Sequence, residues 1–142
     1  MTGAPRVRIN LTEQRAYFYK GENLAGVSLI SSGREGFSTT TGNFRIVQKE
    51  RHHISTLFGA YVAADGLVVQ RDVDTRKDPR PEGTHYVGAP MPYWMRIVGG
   101  IGMHKGDLPG YPASHGCIRL PREMAAAFYG EVAVGTPVRI ER

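Results

Sequence analysis

One stretch of this chain has the make-up of a helix. The rest of its apolar residues come in short runs cut by Gly, Pro, Asn and Asp. That pattern excludes a helical bundle and predicts a β-rich domain. Arg6–Leu11 alternates polar and apolar, as a half-buried strand does. Arg15–Lys20 is aromatic-rich and runs into a turn at Gly21-Glu22-Asn23, and Leu24–Ile30 is a third apolar run at hairpin spacing. Ser31–Gly42 is rich in Ser, Thr and Gly and reads as loop. Phe44–Gln48 returns to strand character, and Ala60–Ala64 with Gly66–Gln70 form a hairpin across Asp65-Gly66.

Between residues 71 and 90, Arg, Asp and Pro dominate, which predicts a long functional flap or a disordered insertion. Met91–Val98 then reads as a strand. Pro121 suits a first helical position, Arg122–Tyr129 holds good helix formers, and Gly130 is a stop. Thr136–Ile140 closes the chain as a last strand. With no internal repeat or linker, the 142 residues read as a single domain, 1–142, long enough to bury a core.

Composition excludes several classes. Hydrophobic residues at 41% and charged residues at 22% are those of a globular protein rather than a disordered one. No apolar run approaches the ~18 residues of a membrane span. The net charge of +5 is spread without a dense basic run or an aromatic-basic motif, which argues against a nucleic-acid partner. It is compatible with a plain solvated surface or with an anionic polymer as partner. Met1–Pro5 carries no signal-peptide pattern.

The chemistry concentrates in residues 101–120, which hold the only cysteine, Cys117, and two of the five histidines. A single cysteine forms no internal disulfide and is either a small buried hydrophobe or a reactive thiol. A free thiol is weakly ionised at neutral pH and needs a base to become a nucleophile. His104, thirteen positions upstream, can reach Cys117 if a loop joins two adjacent strands, whereas His115 at i−2 is poorly placed for that bond. Gly116 lets the chain turn so that the Cys117 N–H points at a developing oxyanion. A metal site would need three or four ligands, and no Cys-x-x-Cys or His-x-x-x-His accompanies these residues. His52, His53 and His85 are isolated.

Ser114-His115-Gly116-Cys117-Ile118-Arg119-Leu120 resembles the active-site signature of the L,D-transpeptidase family of the YkuD type, and Gly102-Met103-His104 lies at a family-like distance upstream. Ser32-Gly33 with Thr39–Phe44 resembles the family's Thr-Pro-x-Gly-x-Phe segment, although Thr stands where Pro is usual. Met91–Arg96 resembles its Met-Pro-Tyr stretch, and Leu120–Val138 its closing helix and strand. The resemblance implies a mainly β fold, a mixed β-sandwich with one short helix near the C-terminus, and no cofactor or metal.

It also implies roles. Cys117 would be the nucleophile on a peptidoglycan stem peptide and His104 the base, oriented by the backbone carbonyl of Lys105. His115, Gly116 and Cys117 would line the oxyanion site through backbone N–H groups, with Ser114 supporting the loop. Arg119 would pair with a substrate carboxylate, and Tyr93 and Trp94 would wall the groove. The thiolate is expected to form readily beside His104. The acyl-enzyme would pass to an amine in a transpeptidase or to water in an L,D-carboxypeptidase or endopeptidase. A silent wall-binding domain would use the same groove without turnover. Such a substrate implies a periplasmic or envelope location, the leader lying outside this sequence.

Overall fold

The computed structural model describes residues 3–142. Ten strands and one helix follow one another as β1 (Pro5–Asn10), β2 (Arg15–Lys20), β3 (Asn23–Leu29), β4 (Gly42–Arg45), β5 (Gln48–Ala63), β6 (Val68–Asp74), β7 (Thr84–Val98), β8 (Ile101–Lys105), β9 (Ile118–Leu120), α1 (Arg122–Glu131) and β10 (Pro137–Glu141). The strands form two five-stranded sheets, ordered β3-β2-β1-β10-β4 and β6-β5-β7-β8-β9. Both are mixed: β1 runs parallel to β10 and β8 parallel to β9, while the other registered pairs are antiparallel. None of the helices among the described residues is long and apolar enough to cross a membrane.

The chain divides into two compact units, residues 1–51 with 92–142, and residues 52–91. In the first unit the alternation of β1 and β2 places Val7, Ile9, Ala16 and Phe18 on one buried face. Met95, Ile97, Met103, Ile118 and Leu120 from the other sheet join the same core, and Ala125 and Phe128 of α1 complete it. The two sheets exchange the chain at a defined point. Ile46 N–H donates to Thr136 O at 2.9 Å, and the next residue, Val47, donates to Arg96 O at 2.9 Å. The run Phe44–Gln48 is therefore two strand ends joined by a crossing, because consecutive residues pair with different sheets.

Helix α1 extends one residue past Gly130, which lies inside it, and Pro121 sits just before its first turn. Its C-terminal carbonyls are met by Lys49, whose Nζ donates to Val132 O at 2.9 Å while lying 4.3 Å from the Tyr129 ring centroid. A cation at that end complements the helix dipole.

The second unit corrects two expectations. Residues 49–59, unassigned from sequence, belong to β5, and most of the expected 71–90 flap is the strand pair β6 and β7, leaving only 75–83 irregular. Polar composition misled here because β6 is an edge strand whose middle residues, Arg71 and Asp72, are consecutive, charged and exposed, which breaks its alternation. The hairpin across Asp65-Gly66 is present, with Gly66 at φ +88° and its N–H donating to Ala63 O at 2.9 Å. The irregular turn is tied by Asp74, whose carboxylate accepts Arg76 N–H at 3.0 Å and Arg76 Nε–H at 3.1 Å.

Leu120 is fully buried at the end of β9. Leu120→Ala is expected to destabilise the fold by about 2–5 kcal/mol, read as a lower midpoint in urea denaturation.

Candidate active site

Strands β8 and β9 are parallel neighbours, with Met103 opposite Ile118 and His104 opposite Arg119. Parallel neighbours cannot be joined by a tight turn. The connection between them, residues 106–117, ends at Cys117, so the fold brings Cys117, one residue before β9, beside the strand that carries His104. His104 is buried, and its Nδ1 lies 2.7 Å from Lys105 O. A carbonyl only accepts, so Nδ1 carries the proton and Nε2 is the basic nitrogen of the neutral ring.

The cysteine loop is gripped from the other sheet's side by residues 31–39. Ser31 and Arg119 exchange backbone hydrogen bonds at 3.1 and 2.9 Å, Arg34 N–H donates to Ser114 O at 2.9 Å, and Ser32 O accepts from Ala113 and Ser114, each at 3.0 Å. Thr39 Oγ1 accepts from Gly33 N–H at 2.9 Å and donates to Gly116 O at 2.6 Å. Within the loop, Ser114 Oγ donates to Cys117 O and accepts from Gly116 N–H at 3.1 Å. Gly116 adopts φ +121°, a conformation that disfavours any residue with a side chain. Gly33 has no room for one: a Cβ there would stand 1.9 Å from Phe37 O and 2.9 Å from Gly116 Cα.

These contacts revise several assignments. The Gly116 N–H, expected at the oxyanion, donates to Ser114 Oγ at 3.1 Å. Trp94 cannot wall an open groove, being 1% exposed. Its indole Nε1–H donates to Gln48 Oε1 at 3.3 Å and its ring lies 5.9 Å from that of His104, a packed support beneath the histidine. Tyr93 turns to α1, with its ring 5.6 Å from that of Tyr129, in a backbone conformation of φ +58° that is unusual for a bulky residue. Arg119 lays its stem against Gly106 and reaches Asp107 O at 3.4 Å. His115 Nε2 lies 3.1 Å from the Arg34 guanidinium.

Cys117 is 3% exposed, and its Sγ–H donates to Gly100 O at 3.3 Å. Burial pushes the thiol above its ordinary pKa. A hydrogen bond from the Gly102 backbone and the charges of Arg96 and Arg119 pull the other way without cancelling it. That burial works against the readily formed thiolate expected from sequence, because it withholds the water that would solvate the anion.

Thr39, Gly33, Arg34, Phe37 and Gln48 hold the site but carried no assigned role from sequence. For residues 31–42 the signals were the Ser/Thr/Gly density and the resemblance of Ser32-Gly33 and Thr39–Phe44 to a family segment; Gln48 lies outside that stretch. A cavity of about 140 Å³ lies behind residues 32–39, reached by Gln14, Thr12 and Pro112; neither Cys117 nor His104 lines it.

Two mixed sheets, a single late helix and a Ser-His-Gly-Cys loop between parallel strands define the class of catalytic domain seen in L,D-transpeptidases. The YkuD family, described as the L,D-transpeptidase catalytic domain, matches residues 4–140, and the chain belongs to it. Among solved structures, an L,D-transpeptidase from Mycobacterium smegmatis superposes with TM-score 0.74 at 19% identity, covering 98% of this chain and 59% of that one. One from Enterococcus faecium gives 0.68 at 24%, covering 98% and 50%. One from Mycobacterium tuberculosis gives 0.71 at 22%, covering 98% and 58%. At these identities the likeness establishes the fold, and the chain spans about half to three-fifths of those chains' lengths. Comparison with curated protein sequences returns no match.

Two outcomes are expected. Thr39→Val strips the buried Gly116 O and the part-buried Gly33 N–H of their partner and should cost about 1–3 kcal/mol, measured by thermal or urea unfolding. Because burial raises the thiol, its reactive anion appears only at higher pH than in free cysteine. The rate of iodoacetamide alkylation plotted against pH should therefore have its midpoint above that of a free thiol; a midpoint at or below it contradicts the desolvated site.

Proposed function

We propose that this domain is a cysteine L,D-transpeptidase acting on peptidoglycan stem peptides in the cell envelope. The observation that carries the mechanism is the His104 Nδ1–H···O=C bond to Lys105, which leaves Nε2 as the base on the strand beside the cysteine loop. Family membership supplies the reaction class.

In this reading the thiol attacks the carbonyl carbon at the L-centre of the third stem residue. As the S–C bond forms, the proton passes from Sγ to His104 Nε2. The carbonyl oxygen becomes an oxyanion facing the Cys117 N–H. Collapse breaks the C–N bond, His104 returns the proton to the departing amine, and a terminal D-amino acid leaves a thioester behind. An acceptor amine then attacks the thioester carbon, loses its proton to His104, and the sulfur departs and is reprotonated. Proton transfer coupled to attack suits a thiol that burial keeps neutral at rest. Arg119, at the exposed side of β9, is the cation proposed to meet a substrate carboxylate, and the net charge of +5 favours an anionic wall polymer. Residues 1–142 are proposed to act as one catalytic domain.

The test is mass spectrometry of disaccharide-tetrapeptide incubated with the wild type and with Cys117→Ala. Cross-linked dimers or exchanged terminal D-amino acids, formed only by wild type, support transpeptidation. Tripeptide alone would make the domain a hydrolase, and untouched substrate with both proteins would favour a silent wall-binding domain. His104→Gln should lower kcat by about 10²–10⁴ with the fold intact by circular dichroism.

A further inference from the structure

Two histidines flank the nucleophile, and either could in principle take its proton. The surroundings of His115 separate them. Its Nε2 stands 3.1 Å from a terminal nitrogen of Arg34. A guanidinium offers donors only and does not lose its charge in proteins. A ring nitrogen at that distance must present its lone pair, so Nε2 is unprotonated and the neutral ring carries its proton on Nδ1. An imidazolium would set N–H against N–H beside a full positive charge.

Arg34 is itself held in place. Its guanidinium lies 4.8 Å from the Phe37 ring centroid, and the Phe37 ring meets that of His115 nearly edge-on, with centroids 4.8 Å apart and planes at 79°. The three side chains close a triangle. Its corners are fixed by the backbone: Arg34 N–H donates to Ser114 O at 2.9 Å, and Phe37 N–H donates to Arg34 O at 2.8 Å. The tight fit of Gly33 against Phe37 O and Gly116 Cα locks the same turn to the cysteine loop.

We propose that Arg34 is a positioning residue that holds His115 as the neutral, Nδ1-protonated tautomer, making it a hydrogen-bond donor and leaving His104 the only base for Cys117. Its catalytic consequence rests on the transpeptidase reading; the tautomer assignment does not. Arg34 touches no reacting atom in this scheme. It acts through His115, which sits two residues before the nucleophile.

The experiment is nitrogen-15 NMR of the whole chain with labelled histidine at pH 7.5, the His115 signals being those lost in His115→Asn. Wild type should show a protonated Nδ1 and an unprotonated Nε2, the reverse of the form usual for histidine in water. Arg34→Lys, which keeps a cationic donor, should retain that pattern. Arg34→Met, which keeps the stem and removes the donor, should shift the proton toward Nε2. The acylation kcat/KM for the tetrapeptide should then fall about tenfold, the scale of one charge-assisted hydrogen bond, and Arg34→Lys should recover most of it. A wild-type His115 protonated on Nε2, or on both nitrogens, overturns the proposal, as does an unchanged tautomer in folded Arg34→Met. Should no variant turn over tetrapeptide while the tautomer behaves as expected, the substrate reading fails and the role of Arg34 stands.

Discussion

The hydrogen-bonded seam between residues 31–39 and the cysteine loop is the constraint on which the site depends. A loop joining parallel strands has no ladder of its own and must find partners for its backbone elsewhere. Here Ser31, Ser32, Arg34 and Thr39 supply them, and Ser114 Oγ bonds Gly116 N–H and Cys117 O from within. The loop is consequently rigid without regular structure. The position of Cys117 follows from these bonds, which hold Gly116 and Cys117 O in place.

Burial of the thiol follows from the same seam and gives the site its character. The closed loop leaves Cys117 with little contact with water, so an anion there is disfavoured until a substrate brings an electrophile to share the charge. The nearby cations, Arg96 and Arg119, temper that penalty and do not remove it. His104 is oriented by a backbone carbonyl rather than by a carboxylate. The site therefore adds no negative charge beside the sulfur, and a carboxylate there would have made the thiolate costlier still.

Much of this was legible in the sequence. The strands β1 and β2, the late helix and the closing strand all bury one face, and one-sided burial writes a periodic pattern that can be read directly; β3 was legible as an apolar run although its Leu24, Val27 and Leu29 are exposed. The Ser-His-Gly-Cys motif stood out through its resemblance to a family signature, whereas the residues alone left Cys117 either a buried structural thiol or a reactive one. What escaped was written without period. Strand β6 is an exposed edge, so Arg71 and Asp72 look like loop. Pro90 falls inside β7, where Pro ordinarily argues against a strand, and the strand was read only from Met91 onward. Trp94 reads as a groove aromatic from its type alone, and only the fold shows it packed beneath His104. Arg34 and Phe37 lie far from Cys117 along the chain, and no local rule links them to His115.

That distance has a consequence for how the site comes into being. Thr39 and Gly116 are 77 residues apart, Ser31 and Tyr111 are 80, and Arg34 and His115 are 81. Contacts of such separation form only after large loops have closed, and they slow folding accordingly. A peptide spanning 101–120 contains the entire motif yet has none of these partners to shape it. The geometry around Cys117 therefore depends on segments from both ends of the first unit.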